Sequence, residues 1–193
     1  MQSKFYAILS RLKYINRWCL MRNTHTENLS EHTLDTAFVA HALVVIHNKR
    51  FGGKLNPEHA AVLAMYHDVS EILTGDMPTP VKYLNADLKK AYKAAEKSAC
   101  DKLVSYLPED MRSEIGNYIS PGQDDAEYAP FIKAADRLSA IAKCVEERST
   151  GNREFLSAEK AQTEALRAMN LPAADVFLDE FMPSYALTLD EQG

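Results

Sequence analysis

The chain has 193 residues, a formal net charge of -5 and only 7 glycines, with 46% hydrophobic and 25% charged residues. That length suits one domain with its own hydrophobic core, and few glycines among many Ala, Leu, Glu and Lys favour helix over sheet. The acidic balance excludes a nucleic-acid polymer as the expected partner, because such a binder needs a broad basic surface, but it leaves room for a small phosphorylated substrate met by two or three local cations.

Residues 5–15 carry Phe5, Ile8, Leu9 and Leu12 at helical spacing, and residues 16–28, rich in Arg, Asn and Thr, read as a loop. Ser30 is the expected N-cap of a second helix, with Glu31 in its first turn and an end near Lys49 before Gly52-Gly53. Asn56-Pro57 starts a third helix, expected to run past His67-Asp68 to about Leu73 and to stop at Gly75. Residues 76–80, Asp-Met-Pro-Thr-Pro, predict a stiff non-helical loop. A long helix over 81–106 and a shorter one over 109–119 follow, separated by Pro108. Pro130 starts a helix whose apolar stripe is Ile132, Ala135, Leu138, Ile141, Ala142 and Val145, closed by Gly151-Asn152. Two further helices are expected over 155–169 and 173–182. No segment alternates with period two, so the fold class is all-α, a compact helical bundle.

Cys19, Cys100 and Cys144 are far apart and odd in number, which predicts reduced, structural thiols rather than disulfides or a zinc-thiolate site. The start of the chain has no signal-peptide run, and the longest apolar stretch, residues 37–46, is too short to span a bilayer. A cytoplasmic location with no membrane partner is the expectation.

The chemistry concentrates in His32, His67-Asp68 and Asp136, all in segments that read as helix. Two imidazoles and two carboxylates make a donor set suited to a divalent cation that activates water. Each residue alone has a bland reading. Asp136 by itself is better read as an ion pair with Lys133 or Arg137, and His32 as an ordinary N-terminal-turn histidine. His67-Asp68 is harder to dismiss. Ala64, Met65, Tyr66, Val69, Ile72 and Leu73 surround it, and a charged Asp in apolar surroundings must be paired or ligate a cation. Glu71 follows three and four residues later on the same face, where it can handle a proton. His25, His41, His47 and His59 have no spacing that demands a metal.

These residues resemble the H…HD…D signature of the HD-domain metal phosphohydrolases. Longer stretches are more specific: Ser-Arg-Leu-Lys-Tyr-Ile-Asn-Arg-Trp (10–18), Glu-Asn-Leu-Ser-Glu-His (27–32), Ala-Met-Tyr-His-Asp-Val-Ser-Glu (64–71) and Thr-Gly-Asp-Met-Pro-Thr-Pro-Val-Lys-Tyr (74–83). Together with Ala134-Ala135-Asp136 and residues 151–156, they resemble the bacterial 5'-deoxynucleotidases over nearly the whole chain. The resemblance implies a single HD domain over residues 1–193, with its metal-binding core at about 28–145, assembled as a homodimer. It implies hydrolysis of deoxyribonucleoside 5'-monophosphates. One divalent cation (Co, Mn, Ni, Fe or Zn) would be held by His32, His67, Asp68 and Asp136. Glu71 would assist the attacking water and Arg17 would orient the phosphate. Trp18 would stand beside the deoxyribose, and Asp76, Met77, Pro78 and Thr79 would line the nucleotide, with His32 and Asp136 also in reach of it. Met77 replaces an expected Leu, a nearly isosteric exchange, and Cys19 replaces an expected Pro.

Direct attack by water, with no covalent intermediate, is expected, because no nucleophilic Ser or Cys motif is evident. Two alternatives stay open at this level. One is another HD reaction, on a cyclic nucleotide, a nucleoside triphosphate or a guanosine alarmone. The other is a helical binding module whose metal is structural.

Overall fold

The computed structural model describes residues 2–82 and 84–193; Met1 and Tyr83, the last residue of one quoted motif, lie outside the described residues. The amphipathic start becomes two segments, α1 (Phe5–Leu9) and a 3-10 helix (Ser10–Tyr14). Residues 16–28 form the expected loop, and its ends meet. Asn16 and Asn28 make an antiparallel bridge, Arg17 N donates to Glu27 O at 2.9 Å, and Leu29 N donates to Ile15 O at 2.9 Å. The chain therefore returns to where it left, placing Arg17 beside Glu27.

Helix α2 (Leu29–Phe51) is capped by Asn28 rather than by the expected Ser30. The Asn28 side chain accepts from the Ser30 and Glu31 amides, and the Glu31 carboxylate accepts from Asn28 N at 3.0 Å. The physical reason is reciprocity. A capping box needs a carboxylate three residues after the cap, which Asn28 has in Glu31, whereas Ser30 would face Thr33. Gly52, at φ +73°, closes the helix in the left-handed region.

Helix α3 (Pro57–Tyr66) begins as expected, with Asn56 as cap and Pro57 at the first position. It stops earlier than its apolar pattern suggests. The Ala64 carbonyl accepts from His67 N at 3.3 Å and from the His67 ring at Nδ1, 2.7 Å. That leaves the chain to turn through 67–70 and restart as α4 (Glu71–Thr74). The stretch expected to be wholly non-helical contains the start of α5 (Thr79–Lys82), because the Pro78 carbonyl accepts from Val81 N and Lys82 N. Pro80 lies in the first turn of that helix, where its missing N–H costs nothing. The long helix expected from residue 81 begins later, as α6 (Ala86–Ser105), capped by Asn85. A 3-10 turn leads into α7 (Arg112–Ile119), then come α8 (Ala129–Ser149), α9 (Leu156–Arg167) and α10 (Pro172–Glu180). No strand occurs among the described residues, so the molecule is an all-α single domain.

Two apolar clusters hold it together. The larger joins α2, α3, α8 and α10 through Leu43, Leu63, Leu138, Ile141 and Phe177. Truncating a fully buried Leu such as Leu138 to Ala costs about 2–5 kcal/mol. The smaller joins α1, α6 and α7 to the turn after α3 through Phe5, Val69, Leu103, Leu107 and Ile119. The 67–71 turn touches both: Val69 belongs to the second cluster, and Ala64, just before it, to the first.

The three cysteines are free. Cys144 is buried, and burial pushes its thiol up to about 12. Cys100 is half-buried, but Cys19 is exposed, so the structural reading does not extend to it. Among the described residues, no helix is long and apolar enough to cross a membrane.

Candidate metal centre

Three elements converge on one point. Helix α2 supplies His32 in its first turn, fixed by the Asn28 cap; the turn after α3 supplies His67 and Asp68; α8 supplies Asp136. Ligand atoms of His32, His67 and Asp68 lie within 4.8 Å of one another, a group able to hold a metal ion. His32 Nε2 is 3.6 Å from Asp68 Oδ2 and 3.4 Å from Asp136 Oδ1, and His67 Nε2 is 3.0 Å from Asp68 Oδ2. Asp136 is shared: its other oxygen meets Lys133 Nζ at 2.6 Å. The bland ion pair is thus present alongside the contact with His32, while Arg137 turns away to Gln162.

The donor chemistry fits a cation. A carbonyl can only accept, so the bond to Ala64 O puts the proton of a neutral His67 on Nδ1 and leaves Nε2 as a lone pair. That Nε2 is buried and, despite its 3.0 Å approach to Asp68, makes no hydrogen bond of acceptable direction; nor does buried His32 Nε2. Electron-rich nitrogens packed against carboxylate oxygens require positive charge among them. The electrostatics around these groups have the same sign. Burial pulls the His67 imidazole down, but the Asp68 and Asp136 charges outweigh it and raise it. Burial works against ionised Asp68, yet the imidazoles of His67 and His32 hold its carboxyl well below the usual range. Asp136 is likewise held low by His32 and Lys133 against burial.

Glu71 is buried at 6% exposure, so it is not a solvent-facing helix carboxylate. Its Oε2 has no hydrogen-bond partner. Burial first, then the charges of Asp68 and Asp76, push its carboxyl up to about 9. Arg17 lies beside the cluster, with Nη1 3.8 Å from Asp68 Oδ2 and Nε 3.1 Å from Glu27 Oε2. Burial lowers its guanidinium, but Glu27, Asp136, Asp68 and Asp76 together raise it. Asp76 is raised by burial, partly offset by Arg17.

The structure therefore brings Arg17, His32, His67, Asp68 and Asp136 together, with Glu71 and Asp76 within electrostatic reach. Trp18 stands one step further out, against Phe155 at 5.3 Å between ring centroids. Met77 and Pro78 are half-buried and Thr79 is exposed on the stretch that leaves the site after Asp76. A cavity of about 290 Å³ adjoins the cluster, lined by His67, Asp68, Asp136, Lys133, Tyr118 and Ile132 among others. Neither Arg17, Trp18 nor residues 76–79 line it. Sequence reasoning offered Lys133 as an ion-pair partner of Asp136 but not as a lining residue of this cavity, and it missed Tyr118, which no spacing marks.

Comparison with known proteins agrees with this geometry. A family model described as 5'-deoxynucleotidase YfbR-like matches residues 4–185. The chain is 50% identical over 190 residues to a 5'-deoxynucleotidase of Vibrio atlanticus, covering 98% of each chain. It is 52% identical over 190 residues to 5'-deoxynucleotidase YfbR of Shigella flexneri, covering 98% of this chain and 96% of the relative. Among solved structures, an HD-domain phosphohydrolase from Listeria innocua superposes with a TM-score of 0.82 at 20% identity, covering 98% of this chain and 91% of that one. The HD phosphohydrolase DatZ of cyanophage S-2L, bound to dA and one catalytic Zn2+ ion, superposes at 0.67 with 15% identity, covering 95% and 99%. The distant structures establish the HD-domain fold; the match along nearly the whole length establishes the narrower kinship, and the chain belongs to the YfbR-like 5'-deoxynucleotidase family.

Proposed function

We propose that this protein carries out its family's 5'-deoxynucleotidase reaction, hydrolysing deoxyribonucleoside 5'-monophosphates, at a site built around His32, His67, Asp68 and Asp136. These four would hold one divalent cation, and the binding core then spans residues 28–145. The supporting observation is the pair of buried, unpartnered imidazole Nε2 atoms facing carboxylate oxygens. When bound, a divalent cation supplies Lewis-acid polarisation of water and of phosphoryl oxygens. Imidazole with carboxylate suits Mn, Fe, Co, Ni or Zn.

The chain's own groups do the rest. Arg17 presents its Nη groups to the phosphate, where a guanidinium fork neutralises charge and fixes orientation. Water attacks phosphorus as the bond to the 5'-oxygen breaks. One water proton passes to the Glu71 carboxylate, which hands it on to the departing 5'-oxygen, leaving the deoxyribonucleoside and phosphate with Glu71 ionised again. A cation held beside Asp68 would offset the negative field that Glu71 feels, which is the condition for its carboxylate to accept a proton near neutral pH. Trp18 walls the deoxyribose, and residues 76–79 line the nucleotide. Homodimerisation belongs to this reading as an expectation from the family.

Phosphate release from a panel of deoxy- and ribonucleotides, with chelator and with added metals, tests it. Mononucleotide hydrolysis that is metal-dependent and prefers deoxyribose is the expected result; turnover only on triphosphates or cyclic nucleotides would overturn it. His67→Ala should lose bound metal and turnover together.

A second placement of the phosphate is favoured by one observation: Lys133 lines the cavity beside three of the proposed ligands. Arg22, paired with Glu154, and Lys82, paired with Glu96, do not line that cavity. If Arg17→Ala keeps the wild-type rate while Lys133→Ala loses it, the phosphate lies on the α8 side.

A further inference from the structure

Glu27 is only 7% exposed, and no role in the reaction is assigned to it above. Its contacts are specific. Oε2 accepts from Arg17 Nε at 3.1 Å and from Trp18 Nε1 at 2.8 Å, while its backbone carbonyl accepts from Arg17 N at 2.9 Å. Oε1 stands 4.0 Å from Nδ1 of His32. A single buried oxygen therefore holds both side chains assigned to the substrate, and the other oxygen of the same carboxylate faces the ring assigned to the metal.

The backbone at Trp18 makes this arrangement more telling. Its φ of +55° is in the left-handed region, an outlier for a bulky residue that persists only where the surroundings over-determine it. The indole is fixed by Glu27 and packs on Phe155, and the Trp18 carbonyl accepts from Met21 N at 2.9 Å and Asn23 Nδ2 at 3.2 Å. Glu27 takes the Nε edge of Arg17, so the Nη edge is turned toward the cluster, with Nη1 3.8 Å from Asp68 Oδ2.

We propose that Glu27 is a positioning residue that locks Arg17 and Trp18 into one clamp, so that phosphate orientation and the preference for deoxyribose are set by the same buried carboxylate. This rests on the roles of Arg17 and Trp18 given above. A merely structural Glu27 would anchor the loop without coupling the two side chains.

The chain has one tryptophan, so its intrinsic fluorescence reports the Trp18 indole directly. In Glu27→Ala the emission should shift to the red, kcat/KM on deoxyribonucleoside monophosphates should fall about 10- to 100-fold, and the deoxy-over-ribo ratio should fall with it. Bound metal per chain should stay at the wild-type level. Glu27→Gln keeps an acceptor for the indole but loses the charge on Arg17. It should retain the emission and the ratio while kcat/KM drops by less. Losses in the Arg17→Ala/Glu27→Ala double variant should be smaller than the product of the single losses, because both act through one group. Wild-type emission and ratio in Glu27→Ala, or fully multiplicative losses, would overturn the clamp. If Arg17→Ala and Trp18→Phe themselves leave rate and ratio untouched, the substrate roles fall and the clamp with them. A silent Glu27→Ala beside impaired Arg17 and Trp18 variants removes Glu27 alone. Should Glu27→Ala not fold, Glu27→Gln decides: wild-type kcat/KM there overturns the hold on Arg17.

Discussion

Two glutamates, Glu147 and Glu71, are both hidden from water and behave in opposite ways. Glu147, near the end of α8, is 1% exposed and surrounded by donors: Lys143 Nζ, the Thr24 amide and hydroxyl, the His25 amide and Asn152 Nδ2. Burial alone would raise its carboxyl, but Lys143, Thr24 and Asn152 hold it well below the usual range. Glu71 has an unpartnered oxygen and two aspartates for company, and its carboxyl is pushed up. Burial therefore does not decide what a carboxylate does; the donors around it do. A satisfied carboxylate fastens a loop to a helix. An unsatisfied one holds its proton more tightly, at a cost that the rest of the fold must offset.

The sharpest way to break this comparison is at Glu71. Glu71→Gln should lower kcat by about 10²- to 10⁴-fold, the usual worth of a positioned proton acceptor, with the melting temperature unchanged or higher. Steady-state kinetics beside thermal unfolding check it; a lower melting temperature with intact kcat would make Glu71 structural. Glu147→Ala should do the reverse. Removing one partner of a buried ion pair strands Lys143 and costs about 3–5 kcal/mol, or on the order of 10 °C in a chain of this size. Denaturant titration measures that loss directly.

Acid sharpens the contrast. The Glu147 carboxyl is depressed in the folded chain, so its stabilisation is present in full above the unfolded value of about 4.3 and is lost as pH falls through and below it. The stability advantage of the wild type over Glu147→Gln should therefore shrink between pH 6 and pH 3. A constant gap would mean that the folded carboxyl is not depressed below its unfolded value. The smallest expected effect is at Thr24, whose hydroxyl lies 2.6 Å from Glu147 Oε2. Thr24→Val removes one donor to a charged acceptor, worth about 1.5 kcal/mol, and calorimetry should record a drop of a few degrees.

Much of this was legible in the residues. Helical periodicity gave the all-α class, and proline, asparagine and glycine marked many of the boundaries. His32, His67-Asp68 and Asp136 could be singled out because two imidazoles and two carboxylates form a donor set whatever their separation along the chain. The misreadings have physical causes. Ser30 and Asn28 are both good cap residues, and only the position of Glu31 distinguishes them. The continuous helix over 57–73 was inferred from apolar spacing, which cannot register a histidine ring competing for a backbone carbonyl. Glu27 lay inside a quoted motif yet in a stretch read as loop, where long-range partners such as an indole leave no periodic trace. Glu147 left one trace, the four-residue spacing from Lys143, but that pattern usually denotes a solvated pair. Here both members are buried.

The early end of α3 has a consequence for anyone who would stabilise this protein. Ala64 O serves the backbone amide and the imidazole of His67, so that carbonyl is already taken where a regular helix would offer it to residue 68. Substitutions chosen to lengthen the helix through 68–70 would compete for the same acceptor and rotate the histidine away. At this junction, a gain in thermal tolerance would be obtained by disarming the enzyme.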